Sequence, residues 1–211
     1  MIRIAIVDDH QIVIDGLKLL LESREDIRIV AEANSAEGIL RLLEEDPIDI
    51  LLTDIMMPEK TGFDLAMEIR RRYGSDVRIL ALSMSEDGAL ITKMIDDAKI
   101  EGYIPKVAGQ KELLRALEVI ATGDSYFSRE ILDQYESYKR IQAEHEKFNL
   151  TARELDIIAC VMQHLSNKAI ADKLFISERT VETHRKNIYR KTQTKGEAAL
   201  IKFVKEYKIL P

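Results

Sequence analysis

"IDILLTDIMMP", residues 48–58, decides how this chain is read. From Ile48 to Leu52 it is apolar apart from Asp49; after Thr53 it meets an acid, Asp54, and Pro58 closes the segment four residues later. A near-continuous β-rich run, rather than strict alternation, is what a strand covered on both faces requires. Four similar runs share the first half of the chain: "IRIAIV" (2–7), "IRIVAEA" (27–33), "VRILAL" (77–82) and "GYI" (102–104). Between them lie amphipathic stretches such as "QIVIDGLKLLLES" and "GQKELLRALEVIATG". In the second of these, Leu113, Leu114, Leu117, Ile120 and Ala121 recur at helical spacing. Five βα units predict an α/β domain over residues 1–122, with a doubly wound, five-stranded parallel sheet.

The rest of the chain differs in kind. "SREILDQYESYKRIQAEHEKF" (128–148) is charged and free of Pro and Gly, so residues 123–147 read as a partly helical linker. Ile131, Tyr135, Tyr138, Gln142 and His145 form one stripe along it. From 148 to 211 the pattern is all-α, with four helices expected near 151–164, 167–174, 178–192 and 195–206. Thr151 stands three residues before Glu154, a capping box, and Ser166 and Ser177 are placed to cap the next two helices. The charge divides in the same way. Residues 148–211 carry 12 Lys/Arg against 7 Asp/Glu, whereas the preceding 147 carry 19 against 30. A basic back and an acidic front point to different partners. No apolar run approaches the roughly 18 residues of a membrane span. The start lacks a secretory signal layout, and Cys160 stands alone, without disulfide or zinc spacing. The expectation is a cytoplasmic protein with no membrane partner.

In an open α/β sheet, ligands bind beyond the carboxyl ends of the strands, where strand order reverses. Asp8 and Asp9 end the first strand, Asp54 ends the third, Ser83 follows the fourth and Lys106 follows "GYIP". If the first and third strands are neighbours, three carboxylates converge, and they repel one another unless something positive sits among them. An oxygen-only acid cluster suits Mg²⁺, which keeps waters that a phosphate ligand can replace. A hydroxyl and an ammonium facing that cluster could receive a phosphoryl group's oxygens. Asp54 would then be a nucleophile, a metal ligand or both. Singly, each residue has a plain alternative as a helix cap, a turn or a solvated charge; the common placement at strand ends is what argues for a site.

These segments, "IVDDH", "LLTDIMMPEKTGFDL", "LALSMSE" and "GYIPK", resemble the receiver domain of bacterial two-component response regulators, which has a flavodoxin-like fold. The resemblance implies that Asp54 accepts a phosphoryl group from the phosphohistidine of a sensor histidine kinase. It also implies that Asp9, Asp54 and the Met56 carbonyl ligate Mg²⁺ directly, with Asp8 acting through water. Ser83 and Lys106 match the family's phosphate-holding hydroxyl and lysine, and Tyr103 its switch aromatic. Two positions depart from the family pattern. Val107 stands where many receivers have a proline in a cis bond, and Ser83 stands for the commoner threonine.

In the tail, "SNKAIADKLF", "IS" and "ERTVETHRKNIYRKT" supply the scaffold helix, tight turn and basic helix of a helix-turn-helix. With "LTARE" before them, these stretches resemble the LuxR-type helix-turn-helix. Receiver and tail together resemble the NarL/FixJ family of transcription regulators. That resemblance makes Glu182, Thr183 and Lys186 base-facing and gives Asn167, Lys168, Arg179, Thr180, His184 and Arg185 phosphate contacts on double-stranded DNA. Many relatives carry Lys at the position of Glu182, so base preference there should differ. The implied function is a DNA-binding transcriptional response regulator, switched by phosphorylation of Asp54, which would promote dimerisation or release a masked recognition helix; a homodimer is expected when phosphorylated. It is not an enzyme beyond phosphoryl acceptance and slow self-hydrolysis. On the last helix Ala198, Ile201, Val204 and Ile209 are available for a dimer contact, though ordinary core packing explains most of that stripe equally well. A Mg-dependent phosphohydrolase with an aspartyl nucleophile is the alternative, but the second acid that haloacid-dehalogenase-like phosphatases need is replaced here by Met56.

Overall fold

The computed structural model describes residues 1–211 except 45, 46, 86, 208 and 211, and the side chains of 144–146. His145 of the linker stripe therefore lies outside the described side chains. The chain divides into two compact units, Met1–Tyr135 and Glu136–Pro211.

The first unit is built on a parallel sheet of β1 (Ile2–Val7), β2 (Ile27–Ala33), β3 (Ile50–Asp54), β4 (Arg78–Ser83), β5 (Gly102–Pro105) and β6 (Tyr126–Phe127), in the order β2-β1-β3-β4-β5-β6. Six strands stand where the sequence predicted five. The extra one is two residues long, too short to show a period. The Tyr126 amide donates to the Glu101 carbonyl and the Ser128 amide to the Tyr103 carbonyl, which lays β6 along β5. The strand order reverses at β1, and this leaves the carboxyl ends of β1, β3, β4 and β5 side by side.

The pleat sorts the core into two layers. Ala5, Val7, Leu51, Ile79 and Ala81 face one side, packing with Ile39 and Leu40 of α2 (Ala36–Leu42), Leu65 and Ile69 of α3 (Gly62–Tyr73) and Ile91 of α4 (Gly88–Thr92). Ile4, Ile6, Ile50, Leu52, Leu80 and Leu82 face the other, packing with Ile14 and Leu17 of α1 (Gln11–Leu21) and Leu113 and Leu117 of α5 (Gln110–Ala121). Every residue of β3 is buried, as the two-sided reading required. α4 runs on into a π-helical turn, Lys93–Asp97, which the sequence pattern did not reveal.

α3 begins with a reciprocal cap. Thr61 Oγ1 accepts from the Asp64 amide, while the Asp64 carboxylate accepts from the Thr61 amide. The next residue, Gly62, permits a close approach: a Cβ there would lie 2.1 Å from the Asp54 carbonyl oxygen. A small residue is thus required directly behind the end of β3.

α6 (Arg129–Lys147) begins in the first unit, so residues 123–135 of the segment read as a linker fold with the sheet. Ile131 is buried in the first layer and Tyr135 packs against it. The second unit holds α7 (Ala152–Met162), α8 (Asn167–Leu174), α9 (Glu178–Thr192) and α10 (Glu197–Glu206) around Ile157, Ile158, Ile170, Val181, Ile188 and Leu200. Ser166 accepts from the Ala169 amide and Ser177 from the Thr180 amide, the two caps expected from the sequence. On α10 and just beyond it, core packing takes most of the apolar stripe: Val204 and Ile209 are buried in this unit's own core, and Ala198 and part of Ile201 face outward.

Candidate functional site

Adjacent strands deliver their terminal residues to one rim. Val7 pairs with Thr53, Asp54 with Leu82, and Ser83 with Pro105, so Asp8, Asp54, Ser83 and Lys106 emerge side by side. Asp8, Asp54 and Ser83 are each at most 3% exposed. The Lys106 ammonium sits between two acids, 2.6 Å from Asp8 Oδ2 and 2.8 Å from Asp54 Oδ2. Its backbone amide donates to the Ser83 carbonyl, which anchors the lysine without a proline after it. Burial works against the charge of Lys106, but hydrogen bonds to Asp54 and Asp8 outweigh it and hold its pKa above the usual value.

Asp54 uses its other oxygen to stay oriented: Oδ1 accepts from the amides of Ile55 and Met56, at 2.7 and 3.2 Å. Asp8 Oδ1 accepts from the His10 amide, and Asn34 Nδ2 donates to the Asp8 carbonyl. One cation nevertheless faces too many acids. Asp8 Oδ2 has the Lys106 ammonium at 2.6 Å, and Asp9 Oδ1 has only His10 Nδ1 nearby, at 2.9 Å and outside hydrogen-bond geometry. Single ligand atoms of Asp8, Asp9, His10 and Asp54 all lie within 4.8 Å of one another. Carboxylate oxygens at that spacing fit a hard divalent cation. The Met56 side chain points to solvent, with no acid at that position.

Tyr103 of β5 is fully buried in the layer that also holds Ile91, Met94 and Ile131. Burial pushes its phenol up to about 12, partly opposed by the nearby Ser83 hydroxyl. That neighbour does not reach hydrogen-bond geometry, and the phenolic oxygen has no partner. A cavity of about 90 Å³ is lined by Ser83, Met84, Pro105, Val107, Ile131 and Gln134. The Tyr135 hydroxyl on α6 donates to Asp96 in the π-helical turn at 2.8 Å.

The second candidate region lies on α9 and the start of α8. Arg179, Glu182, Thr183, Lys186 and Lys168 are exposed; Asn167, Thr180, His184 and Arg185 are half-buried. Asn167, Glu182, Arg185, Lys186 and Tyr189 line one depression of about 300 Å³, while Arg179, Thr180, Thr183 and His184 lie outside it. Two hydroxyls are turned back on the helix: Thr183 donates to the Arg179 carbonyl, and Thr180 pairs with Ser177. Arg185 is held by Asn167 Oδ1, the Tyr189 hydroxyl and Glu197 Oε2. Burial opposes its charge, but the bonds to Glu197 and Tyr189 prevail and raise its pKa. Sequence reasoning did not single out Tyr189 and Glu197. The Arg185–Tyr189 spacing of four on one helix was the available signal. It also passed over His10, although "DDH" sets that residue beside the acids.

The comparisons follow the same division. Residues 4–118 match the model of the response regulator receiver domain, and residues 148–204 that of the bacterial regulatory proteins of the luxR family. The transcriptional regulatory protein MctR of Rhizobium johnstonii is 33% identical over 99% of this chain and 95% of its own length. The nitrate/nitrite response regulator protein NarP of Escherichia coli (strain K12) is 34% identical over 97% of this chain and 95% of its own. Among solved structures, RcsB from Salmonella enterica serovar Typhimurium, bound to promoter P1flhDC with the phosphomimetic BeF3-, is 25% identical. It covers 96% of this chain and 97% of its own, with a TM-score of 0.66. The response regulator ChrA of a heme-sensing two-component system is 30% identical, covering 99% of this chain and 98% of its own, with a TM-score of 0.57.

Proposed function

The chain belongs to the NarL/FixJ family of response regulators, transcription regulators that join a receiver to a LuxR-type DNA-binding domain, and we propose that Asp54 is its phosphoacceptor. The donor is the phosphohistidine of a sensor kinase. As an Asp54 carboxylate oxygen bonds to phosphorus, the P–N bond breaks and the electron pair leaves with the imidazole. Water later cleaves the acyl phosphate, and this slow self-hydrolysis is the only other reaction assigned to the site. The observation that carries the reading is the meeting of Asp8, Asp9, Asp54, Ser83 and Lys106 on one rim.

Asp9, Asp54 and the Met56 carbonyl would hold Mg²⁺ directly, with Asp8 in support; when bound, the ion neutralises charge on the transferring phosphoryl oxygens. Two amides keep Asp54 Oδ1 fixed and leave the Oδ2 side, now paired with Lys106, for attack. After transfer the phosphoryl group carries about −1.5 to −2 charges and can draw in both Lys106 and the Ser83 hydroxyl. Ser83 would then leave the space beside Tyr103, whose unpartnered phenol is held by packing alone. α6 stands against the same layer through Ile131 and Tyr135, so the repacking reaches the helix that leads into the DNA-binding unit. We take residues 1–122 as receiver, 123–147 as the coupling segment and 148–211 as the DNA-binding domain.

On DNA, Lys186 and Glu182 line the depression on α9 and are read as base-facing, guanine and the cytosine amino group being their complements. Thr183 joins them at that face; Lys168, Arg179, Thr180, His184 and Asn167 would hold phosphates, with Arg185 braced behind them. A phosphorylated homodimer would meet two half-sites about one helical turn apart. The proteins named above as regulators, and RcsB bound to a promoter with a phosphomimetic, support this assignment. The cytoplasm is where such a regulator would meet both kinase and DNA.

The test is Mg²⁺-dependent labelling with a small phosphodonor, wild type against Asp54→Asn, with oligomeric state and DNA binding followed together. The expected result is label on wild type only, with dimerisation and tighter DNA binding following it. Label on the asparagine variant at the wild-type level rejects the nucleophile. Equal DNA binding by labelled and unlabelled protein rejects the coupling.

A further inference from the structure

Arg185 ties α9 to the first residues of α8 and α10, and its side chain is only 15% exposed. A guanidinium carries N–H donors and no acceptor, so every group bonded to it must offer a lone pair. Glu197 Oε2 does so at 2.7 Å, the Tyr189 hydroxyl oxygen at 2.9 Å and Asn167 Oδ1 at 3.2 Å. The carboxylate offsets the charge; the two neutral partners are oriented by it. With Oδ1 turned inward, the Asn167 Nδ2 protons face away from the guanidinium. With a lone pair committed to Arg185, the Tyr189 hydroxyl keeps its own proton to give. Among the described residues neither donor has an acceptor, whereas the hydroxyls of Thr180 and Thr183 are engaged on their own helix. Asn167 and Tyr189 line one depression of about 300 Å³ together with Glu182 and Lys186.

We propose that Tyr189 donates its phenolic proton to a DNA phosphate, the same one that Asn167 Nδ2 holds, and that Arg185 orients both donors without touching the duplex. The proposal rests on the reading of α9 as the recognition helix. In a helix-turn-helix the N-terminal residues of that helix meet base edges, while the first helix crosses the backbone. Tyr189 follows Glu182 on the same stripe by nearly two turns, and Asn167 opens α8, the first helix. The depression they share therefore falls where a strand's backbone passes. Phosphate oxygens only accept, and two outward-facing donors match them. The bond from the guanidinium also polarises the phenol toward giving up its proton. Lys186 remains exposed beside them to supply the charge that the buried Arg185 spends on Glu197.

The experiment first selects duplexes from a random-sequence pool with the full-length wild-type protein. On a selected duplex each phosphate is then replaced singly by an uncharged methylphosphonate. Affinity is measured across a salt series for wild type, Tyr189→Phe, Asn167→Ala and the charge-neutral pair Arg185→Met with Glu197→Gln. Tyr189→Phe keeps the ring and removes only the hydroxyl, and it should bind the unmodified duplex about tenfold more weakly. Its slope of log K against log[salt] should match wild type, because a neutral donor releases no counterion. One methylphosphonate position in each half-site should weaken wild type about tenfold more than it weakens Tyr189→Phe or Asn167→Ala. The paired variant should lose affinity at an unchanged slope. Unweakened binding by Tyr189→Phe, or a loss that no single phosphate shares, overturns the proposal. A loss that tracks one base pair overturns it in favour of a base edge. A slope shallower by about 0.9 in the paired variant overturns the orienting role and makes Arg185 the phosphate contact. The underlying reading is tested separately: if Glu182→Ala and Lys186→Ala select the same duplexes as wild type, α9 is not the recognition helix.

Discussion

Each unit buries a lysine against carboxylate, and the two pairs are built for different ends. In the DNA-binding unit, Glu154 Oε2 accepts from Lys191 Nζ at 2.6 Å, from the Thr151 amide and from the Thr151 hydroxyl. Lys191 also donates to the Asn149 carbonyl. Every group there has its partner, and the pair clamps the start of α7 to the end of α9. In the receiver, one ammonium, Lys106, is shared between Asp8 and Asp54, and Asp9 stands beside them with its buried Oδ1 outside any hydrogen bond. Satisfied pairs specify structure, whereas an acid-rich, unfinished cluster leaves room for a cation and a phosphoryl group. The same chemistry thus serves architecture in one unit and exchange in the other.

The sharpest break between the two comes from removing each lysine. Lys191→Ala should cost the second unit about 3–5 kcal/mol, the usual effect of leaving a buried charge unpaired. Divalent ions should not restore it. Lys106→Ala should also destabilise the receiver, but Mg²⁺ should recover much of the loss, because the acids left behind are the proposed ion site. Urea unfolding with and without Mg²⁺ separates the outcomes; recovery of both variants, or of neither, would remove the distinction.

Acid gives a gentler version. Burial works against the Glu154 carboxylate, but Lys191 and Thr151 outweigh it and hold its pKa below the ordinary value of 4.5. A folded-state pKa below the unfolded one contributes stability that is fully present above pH 4.5 and is lost as pH falls through the depressed value. Thermal unfolding of the second unit should show that loss, and Glu154→Gln should flatten the slope.

Smaller still, Tyr135→Phe deletes one hydrogen bond to Asp96, worth about 1 kcal/mol, and should loosen α6 from the receiver. DNA binding by the unphosphorylated variant should move toward the phosphorylated level; an unchanged ratio would take α6 out of the coupling route. Glu182→Lys should raise affinity for all sequences. If it adds one phosphate contact, the salt slope of log K against log[salt] should steepen by about 0.9.

Much of this contrast was legible in the sequence. The β1 and β2 boundaries, and those of α8 and α9, coincide with the expected ones, because apolar periodicity and the Ser166 and Ser177 caps both mark them. Asp8, Asp54, Ser83 and Lys106 could be grouped from strand ends alone, since parallel topology forces those ends together. What escaped depends on contacts between segments distant in sequence. β6 is defined by its hydrogen bonds to Glu101 and Tyr103, not by a pattern of its own. For Val204 and Ile209 the sequence left dimer contact and core packing open, and the folded tail takes the second. Arg185 reads as a free cation in one dimension and proves to be tied to Asn167, Tyr189 and Glu197 in three.

The most direct measurement traps the modified residue. Protein treated with Mg²⁺ and a small phosphodonor is reduced with borohydride, which converts an aspartyl phosphate to homoserine, and its peptides are sequenced by mass spectrometry. The account predicts homoserine at position 54 alone, and none without Mg²⁺. Homoserine at position 8 or 9, or an unmodified residue 54 in labelled protein, would contradict it.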